Sequence, residues 1–352
     1  MKKNKIRKHF KSIIKHPYFG FVLAALILML VQPLRSVLGV LVVDAIGKTM
    51  IYFIAALGFT LLLGYAGLAS LATASFLGLG SFVAVAILQS FGLPFFVAII
   101  AGIAIAIAIG LLFGFVSLRI EGMYLAIVTL GISEIIVEMF KNFSRFTGGN
   151  SGINLLRFYL FGNEISTRTT FYILIVAMLI AMILTLNIIK SPTGRAMLAI
   201  KNSDSAAQAM GISILKYRLL AFVISAVYAV MAGLLYMIHI RFSIASNWGL
   251  GLSLNVLAAV IVGGSKSIWG IFLGTFMIFG LNLAVFSNIP FFRDSLLANV
   301  PHILSGVLII LVVMFYPGGL IRLLIDIRNK FKVVRQKLIK KWRDYRYGNH
   351  TL

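Results

Sequence analysis

The sequence predicts an all-α polytopic membrane protein, and three observations support that fold class. The 352 residues are 61% hydrophobic and only 12% charged, about half the charged fraction of a soluble domain. Their mean hydropathy is +1.03. Apolar runs recur along the whole chain at the length of about 20 residues that a helix needs to cross a bilayer.

Ten apolar segments are predicted to be transmembrane helices. They lie near residues 19–43, 47–66, 69–90, 93–117, 121–140, 169–190, 217–240, 249–264, 268–288 and 300–317. The eighth is short, and Pro33 and Arg35 interrupt the first. A basic start followed by an apolar run from Tyr18 indicates a retained first span rather than a cleaved signal peptide.

The net charge of +23 is concentrated at the two ends of the chain. We predict a basic tail over residues 1–17, a transmembrane domain over residues 18–318 and a basic tail over residues 319–352. We predict that the protein lies in the plasma or inner membrane of the cell. The positive-inside rule places both tails, and the loop 190–216, in the cytoplasm. The tails are expected to contact anionic lipids rather than nucleic acid. The loop 141–168 is the exception, because it is placed outside and is also basic.

The C-terminal tail has a helical pattern. Apolar residues recur at steps of three and four from Leu320, with basic residues between them. This spacing predicts an amphipathic helix on the cytoplasmic membrane surface. The alternative is a disordered basic tail.

The residue types needed for catalysis do not come together in the sequence. Cysteine is absent, the five histidines are scattered without zinc-ligand spacing, and Ser, His and acidic residues form no catalytic pattern. The segment Gly47–Thr49 resembles the end of a phosphate-binding loop, but Val42 stands where that loop needs glycine. We therefore expect no metal, no cofactor and no enzymatic activity in this chain.

A glycine-rich segment, GYAGLASLATASFLGLGSF, begins at Gly64. Small residues let membrane helices approach closely, and they also mark broken helices whose backbone faces a cavity. Close packing explains any single glycine, but the cluster favours a translocation pathway. Its candidate residues are Gly64, Tyr65, Gly67, Ser70 and Thr73, with backbone N–H groups at the break available to a carboxylate.

Glu134 is the acidic residue placed deepest in a predicted span. Glu121 and Glu138 lie near the two ends of that span and are expected at the interfaces. A charge within a span is costly and usually faces the bundle interior or water. Glu134 is predicted either to form a structural hydrogen bond or to line the pathway and meet a substrate ammonium group.

The segment FTGGNSGI combines three glycines with polar side chains in the loop predicted to be external. Thr147, Gly148, Gly149 and Gly152 are its candidate functional residues. The loop is predicted either to contact a partner or gate a cavity, or to be a plain connecting turn.

The polar stretch NSDSAAQAMGISILKYRLL, from Asn202, stands between two apolar spans. SAAQAMG resembles the E-A-A-x-x-x-G pattern of the permeases of ATP-binding-cassette (ABC) importers, with Ser205 in place of the usual glutamate. In that family the element is the coupling helix, which docks on the ATPase subunit. The resemblance assigns this role to about residues 198–214, with Ser205, Ala206, Ala207 and Gly211 in the motif; the alternative is an ordinary cytoplasmic loop helix.

The surrounding segments resemble the branched-chain amino-acid permease family of ABC importers. The matching stretches, in order, are GYAGLASLATASFLGLGSF, LRIEGMYLAIVTLGISEI, TGGNSGI, SPTGRAMLAIKNSDSAAQAMGI, YRLLAFVISAVYAVMAGLLY and VIVGGSKSIWGIFLG. The resemblance implies about ten spans in a fold like that of the cobalamin importer's membrane subunit, a type II ABC importer. It also implies a second related permease subunit, two ATPase subunits that bind the ATP, an extracytoplasmic solute-binding protein, and uptake of leucine, isoleucine, valine or similar amino acids.

The sequence departs from the family pattern at two places: the first leaves the solute open, and the second matters less because the family varies there. Leu68 and Thr73 stand where the family commonly has glutamine and histidine, and Ser205 replaces the coupling glutamate. Urea, a short amide, a simple sugar or a nucleoside is the alternative solute. A self-sufficient secondary transporter, with Glu134 as a proton relay, is the alternative mechanism, but it would not need a docking helix.

Overall fold

A computed structural model of the chain describes residues 18–117, 123–156, 159–160 and 163–280, with 306–307, 310–311, 314, 316, 318–323, 326 and 328–329. The basic tail 1–17, Glu121 and most of the tail 319–352 lie outside the described residues. The amphipathic C-terminal helix therefore stays a prediction.

The described chain is mostly helical. Its first half contains α1 (Phe19–Met29), α2 (Arg35–Leu38), α3 (Val40–Thr60, extended by a π-helical turn at Leu61–Tyr65), α4 (Thr73–Val85, extended by a π-helical turn at Ala86–Ser90), α5 (Phe95–Ser117), α6 (Met123–Asn142), α7 (Ser144–Thr147) and a 3-10 turn (Gly149–Ser151). The strands β1 (Ile153–Asn154), β2 (Tyr159–Leu160) and β3 (Asn163–Glu164) follow. The second half contains α8 (Thr167–Lys190), α9 (Pro192–Asn202), α10 (Asp204–Ala209), α11 (Ile214–Ile240), β4 (Phe242–Ser243), a 3-10 turn (Ala245–Trp248), α12 (Leu250–Gly263) and α13 (Ile268–Thr275, extended by a π-helical turn at Phe276–Gly280).

Six helical segments within the described residues are long and apolar enough to cross a membrane. They are Val40–Tyr65, Thr73–Ser90, Phe95–Phe115, Thr167–Lys190, Ile214–Ile240 and Ala245–Gly263. The apolar helices Phe19–Met29 and Ile268–Gly280 are shorter, and α6 has the length but carries Glu134, Glu138 and Lys141. The expected fold class is confirmed, whereas the expected number of ten spans is not established by the described part of the chain.

The boundary between the first two predicted spans was wrong. We expected a first span over residues 19–43 and a second over 47–66, but one continuous helix runs from Val40 to Tyr65. It begins after Gly39, whose φ of 83° lies in a region that glycine adopts readily. The polar side chains of Asp44 and Lys48 do not interrupt it, because a single helix satisfies its own backbone regardless of its side chains.

The helix α11 is the centre of the bundle and packs against α3, α4 and α5. Where α11 crosses α4, the backbone of each helix contacts the backbone of the other. A Cβ atom on Gly80 would stand 1.9 Å from the Val230 carbonyl oxygen, and one on Gly233 would stand 1.9 Å from the Leu77 carbonyl oxygen. Only glycine at both positions lets the two helices approach this closely.

Two small antiparallel pairings lie between the helices. In the first, β1 pairs with β4, with Ile153 opposite Ser243 and Asn154 opposite Phe242. In the second, β2 pairs with β3. The first pairing fixes the segment after α6 to the end of α11, which shapes the loop predicted to be external.

Candidate functional site

Helical structure is interrupted between α3 and α4. The π-helical turn ends at Tyr65, α4 begins at Thr73, and Gly67 between them has a φ of 75°. The backbone N–H of Leu68 still reaches back to the Leu62 carbonyl oxygen at 3.0 Å. We call residues 66–72 the break; it lies within the glycine-rich segment singled out in the sequence.

Side chains from two other helices satisfy N–H groups at the break. The Leu71 N–H donates to Thr129 Oγ1 of α6 at 3.0 Å, and the Ala74 N–H donates to Ser253 Oγ of α12 at 3.0 Å. Thr129 and Ser253 are almost fully buried. These two N–H groups are therefore not free to bind a substrate carboxylate, and the break is held at a fixed distance from α6 and α12.

The turn between α12 and α13 packs on the other side of the break. A Cβ atom on Gly64 would stand 2.0 Å from the Ser265 carbonyl oxygen, so the two backbones are in contact. The Tyr65 hydroxyl donates to the Lys266 carbonyl oxygen at 3.3 Å. Gly64 and Tyr65 thus fix the relative position of two turns that are about 200 residues apart in sequence.

Lys201, near the end of α9, reaches the carboxyl end of α3. Its Nζ donates to the Leu63 carbonyl oxygen at 3.0 Å and to the Gly64 carbonyl oxygen at 2.9 Å. Carbonyl groups at a helix end lack intrahelical donors and carry partial negative charge, so an ammonium group is a favourable partner. Burial and the nearby charge of Lys266 lower the pKa of the Lys201 amine.

The predicted pathway residues differ in exposure. Ser70 and Thr73 are each only 3% exposed, and Tyr65 is also buried. Gly67 is exposed. Within this chain alone, the exposed surface of the break therefore includes the backbone of Gly67 but not the hydroxyl groups of Ser70 and Thr73.

Glu134 lies on a different face of α6 from the break. It follows Thr129 by five residues, which turns it by about 140° around the helix axis. Thr129 points to the break, whereas Glu134 is exposed on the surface of the chain. The structure does not bring Glu134 into contact with the break. Glu138 is also exposed and pairs with Lys141 at 2.5 Å, as its interfacial position in the sequence suggested.

The polar stretch after α8 forms two short helices. Ser191 caps α9, accepting a hydrogen bond from the Gly194 N–H, and Pro192 follows at the first helical position. Ser203 is extended and caps α10, accepting from the Ala206 N–H. The sequence expectation of one helix over about 198–214 is thus replaced by two helices that meet at Ser203.

A glycine turn ends α10. Gly211 has a φ of 77°; its N–H donates to the Gln208 carbonyl oxygen, and the Ile212 N–H donates to the Ala207 carbonyl oxygen. This pair of hydrogen bonds is the Schellman motif, which needs a left-handed residue at the glycine position. Among the described residues, no atom lies within 4 Å of a Cβ atom built on Gly211, so this part of the chain leaves space beside the turn.

The four motif residues of the predicted coupling helix divide between two faces. Ser205, Ala206 and Gly211 are exposed, whereas Ala207 is fully buried within the chain. Met210, 68% exposed, adds an apolar side chain to the open face. We call Ser205, Ala206, Met210 and Gly211 the α10 face; Ala207 lies beneath it.

An ion pair fixes α10 to the start of α11. Arg218 donates through Nη2 to Asp204 Oδ2 at 2.6 Å. Its partner Asp204 is the first residue of α10. Both side chains are partly exposed, so the pair orients the short helix more than it stabilises the fold.

The glycine loop after α6 is tightly folded. Thr147 is buried, donates to the Phe143 carbonyl oxygen at 2.9 Å and accepts from the Gly149 N–H at 3.1 Å. Gly148, Gly149 and Gly152 all have positive φ values. The loop is therefore compact and internally hydrogen-bonded, and the β1–β4 pairing attaches it to the segment that follows α11.

A chain of polar groups connects this loop region to α4. Trp248 Nε1 donates to Ser243 Oγ at 2.9 Å, and Ser243 Oγ is 2.8 Å from Ser81 Oγ. All three side chains are buried. This connection has no recognisable sequence pattern, because isolated serines are common in membrane helices.

His239 was also not singled out from the sequence. Its side chain is buried, Nδ1 is 3.1 Å from Thr170 Oγ1, and Nε2 has no hydrogen-bond partner among the described residues. A Cβ atom on Gly47 would collide with the ring, so the glycine once considered for a phosphate loop has a packing role here. No group of three or more potential metal ligands occurs in the described part of the chain.

The comparisons with known proteins agree on one family. The family model described as the permease component of the branched-chain amino acid transport system matches residues 41–313. The high-affinity branched-chain amino acid transport system permease protein LivM of Escherichia coli (strain K12) is 32% identical over 284 residues, covering 73% of this chain and 66% of the relative. LivM of Salmonella typhimurium is 30% identical over 283 residues, with the same coverage.

A further relative transports a different solute. The autoinducer 2 import system permease protein LsrC of Enterobacter sp. (strain 638) is 27% identical over 128 residues, covering 34% of this chain and 36% of the relative. The chain spans 66% of the length of the LivM relatives that it matches. No solved structure gives a significant match.

Proposed function

The chain belongs to the family of permease components of branched-chain amino acid transport systems, and from that premise we propose that it is the membrane-spanning subunit of an ABC importer for branched-chain or similar amino acids. It is a multi-pass membrane protein and a transport component rather than an enzyme. The single observation that supports the mechanism is α10, a short capped helix that ends in an exposed glycine turn with no described atom within 4 Å of the Gly211 Cβ position.

The α10 face is proposed to dock on the ATPase subunit. Ser205 and Ala206 are small and Gly211 has no side chain, so a partner can approach the backbone closely. Met210 supplies an adaptable apolar contact. The pair Asp204–Arg218 holds this face in a fixed orientation on α11, and Ala207 supports it from below. The ATP is proposed to bind only to the partner subunits, and this chain itself uses no cofactor.

The pathway is proposed to run along the surface where the break and α6 face a second permease subunit. A carboxylate exposed to lipid costs about 2.5–3.5 kcal/mol, so the exposed Glu134 is expected to be covered by protein or water. Gly131, one turn before it, leaves space beside the helix. Gly64, Tyr65, Ser70 and Thr73 support this surface from within the chain, while Gly67 is exposed on it.

The glycine loop is proposed to contact the solute-binding protein. Its rigid shape, set by Thr147 and the positive-φ glycines 148, 149 and 152, suits a docking surface that changes little on binding. The loop lies on the opposite end of α11 from the α10 face. We therefore propose that solute delivery and ATP-driven movement take place on opposite sides of the membrane, with both chain termini in the cytoplasm.

Transport by a reconstituted complex tests the proposal. The chain is co-expressed with a related permease subunit, an ATPase subunit and the binding protein, and uptake of labelled leucine into vesicles is measured. We expect leucine uptake that requires both ATP and the binding protein. Unlabelled isoleucine and valine should compete with the labelled leucine. Uptake driven by a proton gradient without ATP would identify a secondary transporter instead. ATP-dependent uptake of labelled autoinducer 2, urea or a sugar, with no uptake of labelled leucine, would support the other class of solute that the LsrC similarity raises.

A further inference from the structure

We propose that Lys201 is a positioning residue for transport: it clamps the carboxyl end of α3, so that the segment bearing the α10 face and the break move as one body. This inference rests on the proposed function. It concerns a contact inside the chain, between a cytoplasmic helix and a membrane-spanning helix, that neither the family match nor the sequence motifs identify.

The contact is short in space and long in sequence. Lys201 Nζ lies 3.0 Å from the Leu63 carbonyl oxygen and 2.9 Å from the Gly64 carbonyl oxygen, at sequence separations of 138 and 137 residues. Both acceptors lie in the π-helical turn that ends α3. Because these groups stand at the end of a helix, a cation there makes charge-assisted hydrogen bonds and meets the negative end of the helix dipole.

Lys201 is tied closely to α10. It occupies the last turn of α9, and only Ser203 separates that helix from α10. The Ser203 N–H donates to the Ala199 carbonyl oxygen, and its side chain caps α10. A displacement of α10 is therefore transmitted to Lys201 through two hydrogen-bonded helix ends rather than through a flexible linker.

The apolar stem of Lys201 also contacts the break. A Cβ atom on Gly67 would stand 3.2 Å from Lys201 Cγ, so the lysine stem lies along the glycine backbone. Gly64, whose carbonyl oxygen accepts from Lys201, also packs against the Ser265 carbonyl group. The clamp thus joins α9 to a point from which Thr129 and Ser253 extend the connection to α6 and α12.

Replacement of the ammonium group tests the clamp. Lys201→Met keeps the apolar stem and removes both hydrogen bonds, and Lys190→Met removes an exposed lysine from the end of α8 as a matched control. We expect Lys201→Met to assemble and hydrolyse ATP but to move about tenfold fewer solute molecules per ATP hydrolysed. Lys201→Arg, which can still donate to two carbonyl groups, is expected to retain most of the coupling. Equal transport per ATP in Lys201→Met and Lys190→Met would overturn the proposal.

A distance measurement does not depend on the folding of these variants. The chain contains no cysteine, so spin labels can be placed through Asn202→Cys with Ala69→Cys, and through Asn202→Cys with Ser90→Cys, in complexes whose partner subunits also lack cysteine. Between the nucleotide-free and vanadate-trapped states, we expect the 202–69 distance to stay constant and the 202–90 distance to change. A change in the first distance, or no change in either, would contradict the clamp. A parent complex that transports nothing would contradict the proposed function, whereas normal transport with a variable 202–69 distance would contradict this inference alone.

Discussion

Two glycine turns in this chain have nearly the same φ angle but different surroundings. Gly67, in the break, and Gly211, after α10, have φ values of 75° and 77°. Lys201 Cγ stands 3.2 Å from the Cβ position of Gly67, whereas no atom of the described residues lies within 4 Å of that of Gly211. Glycine with a positive φ therefore serves both a turn that is fixed from several directions and a turn that has few partners among the described residues.

The difference lies in how much of the surroundings determines each turn. Hydrogen bonds accepted by Thr129 and Ser253 and donated by Lys201 join the break and its neighbouring residues to three other helices. The α10 turn is held by its own Schellman bonds and by the Asp204–Arg218 pair. A turn fixed by many partners can keep a pathway in shape, and a turn with few partners keeps its surface available for another protein.

The largest expected effect is at the fixed turn. Gly64→Ala places a Cβ atom on the Ser265 carbonyl oxygen, and both contacting groups are backbone, so the two turns must separate. We expect a loss of about 3 kcal/mol or more in the free energy of unfolding, at the upper end of overpacking effects. Thermal stability in detergent, followed by size-exclusion chromatography, measures it. Gly131→Ala is the control: its Cβ meets nothing, and it should stabilise α6 by about 0.5–1 kcal/mol. Equal stability of the two variants would show that the contact at Gly64 is not tight.

The next effect concerns the hydrogen bonds that fix the break. Ser253→Ala leaves the Ala74 N–H without its acceptor in a buried position. An unsatisfied buried donor costs about 1–3 kcal/mol. We expect this loss in the same thermal assay, together with faster amide exchange at residues 71–76. Unchanged exchange there would mean that another acceptor replaces the serine.

At the open turn, a bulky residue should affect function more than folding. Gly211→Trp adds a side chain into open space and costs about 1–2 kcal/mol for its left-handed backbone. The protein should remain in the membrane but lose co-purification with the ATPase subunit and transport-linked ATP hydrolysis. A variant that binds the ATPase normally would exclude the α10 face as the docking surface. Ala207→Arg is less informative, because it would bury a charge inside the chain.

The smallest effect is expected at the ion pair. Asp204→Asn removes the charge opposite Arg218, and since both side chains are partly exposed the loss of stability should stay below about 1 kcal/mol. The orientation of α10 should change more than the stability does. We expect Asp204→Asn to bind the ATPase subunit more weakly, and high salt to weaken binding by the parent protein in the same way. Both results would support a role of the ion pair in orienting α10. A loss of several kcal/mol would show that the pair stabilises the bundle and is not merely orienting.

The sequence predicted the helical membrane fold and the position of the polar stretch, because both follow from local composition. It did not predict which hydroxyl groups hold the break. Thr129 and Ser253 look no different in sequence from Thr49 and Thr60, whose hydroxyls donate to carbonyl groups four residues earlier in their own helix. The partners of the break lie 58 and 179 residues away, and such pairings arise only from packing.

The inward orientation of Ala207 was equally hidden. A helix of six residues is too short for periodicity to show which side faces the bundle, and alanine suits a buried or an exposed position. In the sequence, Lys201 is one of several basic residues in the loop 190–216, which is predicted to be cytoplasmic. Its long stem gave no indication that its charge points back to the end of α3.

The mutual contact of Gly80 and Gly233 has a consequence for the kinematics of transport. Because each glycine touches a carbonyl oxygen of the opposite helix, sliding α4 along α11 by one turn would drive side chains into backbone. Translation along this crossing is thus removed as a degree of freedom. The two helices are therefore expected to travel as a single rigid body, so the pathway is expected to open and close at contacts other than this crossing.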